Sequence, residues 1–262
     1  MGKRSRHSNS STIKSKIKQG RGTGRLSEYK PWLHIQDVPS RGLVARILGW
    51  KTRRVHHLLS LFEQSYFYTL EWSSIVTDIR EQYPLLPLEE TVSIASDCGI
   101  SHPVHPRTRY PTVLTTDFLL TANSEDQPRT LKHKDDLDTR TLEKLEIERR
   151  YWDFRQKKLK IVTEEHFPMT VAKNVEWLHP FKRREEFSDF DELQFSLITS
   201  HVLLAVQHNH APLREVTVAL DDQLGLKLGT SLSLTRYLLA NRQLRVDMQQ
   251  RINPCNQLAL II

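Results

Sequence analysis

The sequence predicts a mixed α/β protein of two domains, and three observations support this fold class. The chain has 262 residues with 38 % hydrophobic content, enough for one large domain or two ordinary ones. Residues 111–152 combine an apolar, β-branched strand, a returning strand and a long amphipathic helix. Beyond a proline-containing and basic segment at 167–184, most of the chain shows helical patterns. We therefore expect an α/β domain followed by a smaller, mainly helical domain.

The composition limits the classes of protein that need to be considered. The 38 Lys and Arg residues exceed the 31 Asp and Glu residues, which gives a net charge of +7 and favours a partner that carries phosphates. Cys98 and Cys255 lie far apart, which argues against a disulfide framework or a cysteine-based zinc site and for a reducing compartment. No apolar run approaches the ~18 residues of a membrane span. We expect a cytoplasmic protein without a membrane partner.

The first 25 residues contain basic residues and no acidic ones. Ser and Gly fill the gaps, so this segment cannot bury enough apolar area to fold alone. We expect residues 1–28 to form a basic arm that lies on DNA phosphates, and a solvated tail is the alternative. The contacts that we predict in this arm are Lys14, Lys16, Lys18 and Arg21.

The next part of the chain supplies a second basic cluster and the first candidate acid. Lys51, Arg53 and Arg54 follow a stretch of aromatic residues, prolines and short strands, and a phosphate contact or a solvated loop would explain them equally well. Ser60 can cap a helix over 60–72, in which Glu63 borders the apolar stripe. A strand at 75–82 and a helix at 88–100 follow.

The central hairpin carries the next candidates. Asp117 is the only acid within an apolar strand, and the polar residues 121–128 predict the turn. Lys132 ends the returning strand at 129–132, 15 residues after Asp117. A helix over 138–152 and a strand over 159–163 complete the domain. Glu148, in this helix, belongs either to the site or to a charged helix surface, and the surface is the favoured interpretation.

The last part of the chain predicts helices at 187–207, 213–224 and 230–239, with short strands at 242–247 and 258–262. Three helices and a terminal hairpin indicate a winged-helix domain, and a helical cap with a β tail is the alternative. The third helix carries one basic residue, Arg236, whereas a helix that reads the major groove normally needs several polar or basic side chains. We therefore expect this domain to bind protein rather than DNA.

Two acids and a lysine suggest a reaction. A Mg²⁺ ion needs hard oxygen ligands, usually one or two carboxylates with waters and substrate phosphate. Such an ion orients a phosphodiester and activates water, and a nearby lysine stabilises the developing charge. A carboxylate on one strand with a lysine on its hairpin partner, backed by a helix, is the skeleton of the PD-(D/E)xK nucleases. Glu63, Asp117 and Lys132 fit this pattern.

Several longer runs give the pattern specificity. The chain closely resembles the TnsA family, the endonuclease subunits of heteromeric cut-and-paste transposases, over about residues 29–178. The runs that carry the resemblance are YKPWL (29–33), KTRRVHHLLS (51–60), LEW (70–72), DIREQYPLLP (78–87), TDFL (116–119) and RTLEKLEIERRYW (140–152).

The resemblance implies a domain organisation and an activity. Residues 29–166 would form a restriction-endonuclease-like catalytic domain, and residues 167–262 a winged-helix-like interaction domain. The activity would be Mg²⁺-dependent hydrolysis at the 5′ ends of a mobile element, with Mn²⁺ as a substitute ion. A TnsB-type recombinase would process the 3′ ends, and a TnsC-type AAA+ ATPase would dock on the C-terminal domain. The enzyme would act at transposon-end DNA, in the bacterial cytoplasm and on the nucleoid.

The resemblance also assigns residue roles. The catalytic residues would be Glu63, Asp117 and Lys132, and the metal ligands Glu63, Asp117 and the backbone carbonyl of Leu131. Thr130 and Glu148 are weaker candidate ligands. The family has Gln two residues before the lysine, where this chain has Thr130. If Lys134 were the catalytic lysine, Lys132 would stand at a ligand position and repel a cation, so Lys132 is preferred.

Two other functions remain open at this stage. One is a subunit with a decayed nuclease core that bridges DNA and partner proteins, and Thr130 is the feature that supports it. The other is a stand-alone restriction nuclease, which the runs shared with the TnsA family disfavour. Neighbouring genes for a recombinase and an ATPase would distinguish a transposase subunit from a stand-alone nuclease.

Overall fold

The structure of the chain is a computed structural model that describes residues 9–38 and 43–261, apart from the side chain of His166. It divides into two compact units, the first ending at Phe167 and the second beginning at Pro168. Residues 1–8 of the predicted arm lie outside the described residues.

The first unit is a mixed α/β fold, which confirms the predicted class. Its helices are α1 (Ser10–Lys18), α2 (Leu61–Trp72), α3 (Leu88–Asp97) and α4 (Thr139–Asp153). Its strands are β1 (Ala45–Leu48), β2 (Val55–Leu58), β3 (Val76–Pro84), β4 (Thr115–Ala122), β5 (Glu125–Leu131) and β6 (Lys160–Val162). β1 and β2 form a small antiparallel hairpin. The main sheet has the order β3-β4-β5-β6, antiparallel except for the parallel pair β5 and β6.

The central hairpin is tighter than the sequence predicted. Asn123 and Ser124 connect β4 to β5, and both adopt positive φ, at 51° and 66°. A two-residue turn with positive φ at both positions matches the twist of the flanking strands and favours Asn. The prediction of a turn over 121–128 is wrong, because the polar residues of β5 continue the ladder. Asp126 forms an ion pair with Arg80 of β3, which offsets the cost of placing a carboxylate there.

The core of the first unit lies between the sheet, α3 and α4. Leu119 of β4 packs with Ile94 of α3 and with Ile147 and Trp152 of α4. The indole Nε1 of Trp152 donates a hydrogen bond to Thr116 Oγ1 at 2.7 Å, so its polar atom is satisfied in the core. Truncating Trp152 to Ala would cost about 3–5 kcal/mol of folding stability. The core thereby fixes α4 against the strand that carries Asp117.

The predicted basic arm is folded where the structure describes it, which corrects the expectation that it lacks structure. Asn9 caps α1 by accepting a hydrogen bond from the Thr12 backbone N at 2.9 Å. Ile13 is buried in a cluster with Trp32, Leu88 and Val113. Besides Ile13, the ion pair of Arg21 with Asp37 holds the segment, and that it cannot fold alone stays a prediction. The described part of residues 1–28 therefore belongs to the first unit.

The second unit is helical. Its helices are α5 (Met169–Leu178), α6 (Glu192–His208), α7 (Leu213–Leu224) and α8 (Thr230–Ala240). The sequence analysis placed a domain boundary where α5 lies, although Pro168 only occupies its N-cap, where the missing N–H costs nothing. Asp221 accepts hydrogen bonds from the backbone N of Gly229 and Ser231, at 2.7 and 2.8 Å, and so ties α7 to the start of α8.

The end of the second unit differs from the predicted hairpin. Within the described residues, 242–247 and 258–261 share a single isolated bridge, between Val246 and Leu260, and form no strands. The predicted strands are therefore wrong, and the winged-helix assignment stays a prediction. In the part of the chain that is described, no helix is long and apolar enough to cross a membrane.

Candidate active site

Four of the predicted site residues come from different elements and act on one another. Glu63 lies in the first turn of α2, Asp117 in β4, Lys132 directly after β5, and Glu148 in α4. Lys132 Nζ is 3.6 Å from Asp117 Oδ2. The charge of Asp117 shifts the pKa of both Glu63 and Glu148, so the four charges share one site.

Glu63 owes its position to the start of α2. Ser60 Oγ accepts a hydrogen bond from the Glu63 backbone N at 3.1 Å, and Glu63 Oε2 accepts one from Leu59 N at 2.9 Å. A Ser followed three residues later by Glu is a common sequence at helix N-termini, because both residues satisfy unpaired N–H groups. Helix capping therefore explains the local conformation of Glu63. It also turns the carboxylate back toward the sheet.

Glu63 is poorly compensated for a buried acid. Burial and the charge of Asp117 raise its pKa from 4.5 to about 8, although hydrogen bonds to Leu59 and Gln82 partly oppose this shift. The Gln82 Nε2 donates to Glu63 Oε2 at 3.2 Å. A carboxylate that is buried next to another carboxylate favours a proton or a cation.

Asp117 and Lys132 meet at the end of β5. Asp117 Oδ2 accepts a hydrogen bond from Leu131 N at 2.7 Å, which aligns the carboxylate with the returning strand. Lys132 Nζ donates to the Leu131 carbonyl oxygen at 2.8 Å. Burial lowers the pKa of Lys132, but the charges of Asp117 and Glu148 outweigh this effect, and the net direction is upward. Lys132 therefore stays a charged ammonium at neutral pH.

These contacts test whether a divalent cation would fit. The Lys132 ammonium lies between the Leu131 carbonyl and the Asp117 carboxylate, two of the oxygen groups predicted to bind the metal. The positive charge of Lys132 is thus stabilised at the place where the Leu131 carbonyl and the Asp117 carboxylate lie close together. Among the described residues, no group of three or more His, Cys, Asp and Glu side chains forms a ready-made metal cluster. Mg²⁺ typically uses one or two carboxylates and several waters, so the donor set fits this ion.

Glu148 faces the site, and the favoured interpretation of a charged helix surface is wrong. Its Oε1 accepts hydrogen bonds from Thr116 Oγ1, at 2.7 Å, and from Thr130 Oγ1. Burial raises the pKa of Glu148 to about 7; the Thr130 hydroxyl opposes this shift and the charge of Asp117 adds to it. The spacing could have revealed this, because Leu145 and Trp152 lie three residues before and four after it, on one helix face.

Thr130 and the alternative lysine have clear positions. Thr130 is buried, and its hydroxyl orients Glu148. Lys134 is 64 % exposed and pairs with Glu165, away from the acids, so the geometry agrees with the preference for Lys132. Thr130, Lys132 and Glu148 line a cavity of about 200 Å³ that also borders Lys144 of α4. A wider groove of about 970 Å³ lies at the other end of the hairpin, but none of these candidates lines it.

The predicted DNA contacts at 51–54 differ in how accessible they are to a ligand. Arg54 is buried and bound to Glu81 and to the Ile79 carbonyl, so its prediction as a DNA contact is wrong. Arg53, its neighbour, is exposed. Lys51 is half-buried and donates to the Ser73 carbonyl at 2.6 Å.

Of the predicted DNA contacts in α1 and the following turn, two interact with an acid of the protein and two are exposed. Arg21 forms an ion pair with Asp37, and Lys16 lies 3.8 Å from the same carboxylate. Lys14 and Lys18 are exposed on α1. The folded segment therefore presents less free positive charge than the sequence suggested.

Comparison with known proteins identifies the family. The family described as "TnsA-like endonuclease N terminal" matches residues 73–164, and "TnsA endonuclease C terminal" matches residues 167–248. The chain is 40 % identical over 254 residues to the "Transposon Tn7 transposition protein TnsA" of Escherichia coli, covering 95 % of this chain and 90 % of that protein. The chain belongs to the TnsA family.

Membership in the TnsA family agrees with the structure of the first unit. It supports a restriction-endonuclease-like fold for this unit and an endonuclease role in transposition. Asp117, Lys132 and Glu148 lie within the matched N-terminal region, whereas Glu63 precedes it. The assignment of Glu63 to the site therefore depends on its geometry. Its carboxylate is buried, which raises its pKa, and the charge of Asp117 raises the pKa further.

Proposed function

We propose that this TnsA-family chain is a catalytically active, Mg²⁺-dependent DNA endonuclease of the PD-(D/E)xK type. In this proposal it hydrolyses the 5′ ends of the transposon during cut-and-paste transposition. The observation that carries the proposal is the contact of Lys132 with Asp117 and the Leu131 carbonyl, beside the buried Glu63. This arrangement combines oxygen ligands with a charged lysine at one place.

Each residue has a defined task in the proposed site. Asp117, Glu63 and the Leu131 carbonyl would hold Mg²⁺, or Mn²⁺ in its place. The bound ion would supply a Lewis acid for the phosphate and would lower the pKa of a bound water. Leu131 N fixes Asp117, and Leu59 N fixes Glu63, so both carboxylates are held before substrate arrives. Positioned charges of this kind are more effective than mobile ones.

Lys132 stabilises negative charge in this scheme. Its side chain is 31 % exposed, which lets the ammonium contact both Asp117 and an incoming phosphate. Its raised pKa keeps it charged at the pH of the cytoplasm, so it can stabilise negative charge on the phosphate oxygens. A neutral side chain at this position would leave that charge without a partner.

The role that the structure gives Thr130 weakens the case for a decayed core. That alternative rested on Thr130 in place of Gln. Here the Thr130 and Thr116 hydroxyls hold the buried Glu148 in the site. A side chain with this task is consistent with a maintained active site. We therefore favour the active enzyme.

Strand-specific cleavage tests the proposal. Purified chain and a TnsB-type recombinase would be incubated with end-labelled transposon-end DNA in Mg²⁺, and in Ca²⁺ as a poorly activating ion. We expect 5′-strand cleavage in Mg²⁺ that Lys132→Ala abolishes, with 3′-strand processing retained. Lys134→Ala is the matched control, because Lys134 is exposed and pairs with Glu165. Undiminished 5′ cleavage by Lys132→Ala would contradict the proposal, and no cleavage by the parent chain would favour a decayed core.

DNA would be held by the exposed cations of the first unit. Lys14, Lys18 and Arg53 are exposed, and Lys51 is accessible in part. Such contacts neutralise phosphates and release counterions, so their contribution falls steeply with salt. We propose these residues as phosphate contacts and exclude Arg54.

The second unit is proposed to dock a TnsC-type AAA+ ATPase. Arg236 of α8 stacks on Trp177 and Phe181, with its guanidinium carbon 4.7 and 3.8 Å from the ring centroids. Burial lowers its pKa to about 10. Because it also donates to the Trp177 carbonyl, the basic residue of the third predicted helix is engaged within the protein rather than offered to DNA.

Helix α6 offers an apolar surface for that partner. Leu193, Leu197 and Leu204 are 80 %, 58 % and 55 % exposed and lie on one side of α6. Exposed apolar patches often mark protein contacts. A pull-down with the full-length chain tests this: Leu193→Asp with Leu197→Asp should lose the ATPase and keep binding to end DNA. Retention of the ATPase, or loss of DNA alone, would contradict the docking role.

A further inference from the structure

Gln82 of β3 has an unusual backbone conformation next to the two candidate acids. It adopts φ of +50° inside a strand and is 2 % exposed. A non-glycine residue in the left-handed region is strained and persists only where the surroundings impose it. Such residues cluster at functional sites.

The register of the sheet places Gln82 opposite Asp117. The flanking pairs in the ladder are Glu81 with Phe118 and Tyr83 with Thr116. Gln82 and Asp117 therefore occupy the positions between these two pairs, on neighbouring strands. At this point the Gln82 carbonyl bonds outside the sheet, accepting from Trp32 N at 3.2 Å.

The Gln82 side chain connects α2 to β4. Its Nε2 donates to Glu63 Oε2 at 3.2 Å, and its Oε1 accepts from Thr115 Oγ1 at 3.3 Å. The amide is thus held at both ends. It touches one candidate metal ligand directly and reaches within two residues of the other.

The preceding residue fixes the strand. Glu81 is fully buried and accepts hydrogen bonds from Arg54 Nη1 at 2.7 Å and from His57 N at 3.0 Å. Because Glu81 is anchored on the β2 side, the strand cannot slide or rotate freely at Gln82. Gln82 directly follows this anchor, and its amide contacts Glu63.

We propose that Gln82 is a positioning residue that sets the Glu63 carboxylate in the correct place relative to Asp117 for binding a divalent cation. This inference rests on the proposed metal-dependent function. Gln82 acts through Glu63: its amide N–H restrains Oε2, while Oε1 accepts a long hydrogen bond from Ser60 Oγ at 3.5 Å and keeps a lone pair for a cation. Partners that orient a metal ligand typically affect metal affinity by about 10–100-fold when they are removed.

The test compares Gln82→Asn with the unmodified full-length chain. Asn tolerates positive φ, so the backbone is preserved, but it is shorter by one methylene and its amide should not reach Glu63. We expect Mn²⁺ binding, measured by calorimetry, to weaken roughly 10–100-fold, and 5′-strand cleavage to need correspondingly more metal. Gln127→Asn makes the same chemical change in β5, near the far end of the hairpin, and should bind Mn²⁺ like the parent chain.

The outcomes separate this inference from the proposed function. If the parent chain binds Mn²⁺ and cuts while Gln82→Asn does both equally well, the positioning role is wrong and the proposed function stands. If the parent chain neither binds Mn²⁺ nor cuts, the proposed function itself fails. If Gln82→Asn does not fold, Thr115→Val decides, because it removes the hydrogen bond to the Gln82 amide and keeps the side-chain shape. Weaker Mn²⁺ binding with an unchanged Tm would support the role, and unchanged binding would overturn it.

Discussion

Two buried acids of the first unit, Glu81 and Glu63, differ sharply in how their charge is compensated. Glu81 meets Arg54, His56 Nδ1 at 2.8 Å and the backbone N of His57 at 3.0 Å. Burial alone would raise its pKa, but His56 and Arg54 more than reverse this and hold it far below its usual range. For Glu63 the balance is opposite, and burial with the charge of Asp117 raises its pKa to about 8.

This difference separates a paired buried acid from the one that we propose as a metal ligand. A buried carboxylate that is fully paired fixes the elements around it, here β2 and β3. One that is left partly uncompensated next to a second acid creates a preference for a cation. Gln82 connects the two acids, since it directly follows Glu81 in sequence and its side chain contacts Glu63. The paired acid thus supports the position of the unpaired one.

The largest effect should come from exchanging the two acids for amides. Glu81→Gln leaves Arg54 buried without its counter-charge, and we expect a loss of about 3–5 kcal/mol in the free energy of unfolding. Glu63→Gln removes a repelled charge and should leave stability unchanged or raise it, while 5′-strand cleavage is lost. Urea unfolding and the cleavage assay measure both quantities. Similar destabilisation by Glu81→Gln and Glu63→Gln would contradict the claim that only Glu81 is fully compensated.

The two acids should also respond to pH in opposite directions. For Glu63 the folded pKa of about 8 lies above the ordinary 4.5, so the folded state binds more protons. The associated stability is complete below the unfolded pKa and is lost as pH rises through 8. For Glu81 the folded pKa is lowered, and its stability is lost as pH falls. In EDTA we expect the Tm of the parent chain to decline by several degrees between pH 6 and 9. The decline should be smaller in Glu63→Gln. An excess of Mg²⁺ should restore the Tm of the parent chain at high pH. A flat profile would contradict the shift.

A smaller effect distinguishes Arg53 from Arg54. Arg53 is exposed and Arg54 is paired with Glu81. Arg53→Gln should reduce the slope of log affinity against log salt by about 0.9 and leave stability unchanged. Arg54→Gln should destabilise the protein by roughly the same 3–5 kcal/mol as loss of Glu81. If Arg54→Gln instead altered only the salt slope, the assignment of Arg54 to the core would be wrong.

The sequence predicted the elements that strong periodicity and caps define. Helix α2 begins after Ser60 and α4 after Asp138, because both side chains cap the first turn. Periodicity could not tell Arg53 from Arg54, because their different environments arise from the turn between β1 and β2. The predicted turn was too long, because Asp126 was assigned to it on its polarity. Asp126 lies in β5, where it pairs with Arg80 of β3, and this partner on a third strand is not visible in the local sequence.

Sequence reasoning reached the catalytic candidates through the family pattern and missed their supports. Spacing suggested Asp117 and Lys132 only weakly and favoured an ordinary edge residue for Glu63, so the resemblance to the TnsA family assigned the three roles. The role of Gln82 was not visible, because a left-handed φ within a strand leaves no sequence signal at a non-glycine residue. Ile13 was overlooked because the two isoleucines of α1 lie among basic residues, and the sequence does not show that Ile13 is buried while Ile17 is exposed. In both cases the deciding contacts are distant in sequence.

The central claim is that Glu63, a poorly compensated acid beside Asp117, takes up a divalent ion together with it, and proton release measures this. At pH 7 a Glu63 with a pKa of about 8 is largely protonated, and metal binding must displace that proton. Calorimetric titration of Ca²⁺ in buffers of different ionisation enthalpy counts the protons released. We predict release of about one proton per ion by the parent chain, and much less by Glu63→Gln, which should also bind more weakly. Equal proton release and equal affinity in both proteins would contradict the account.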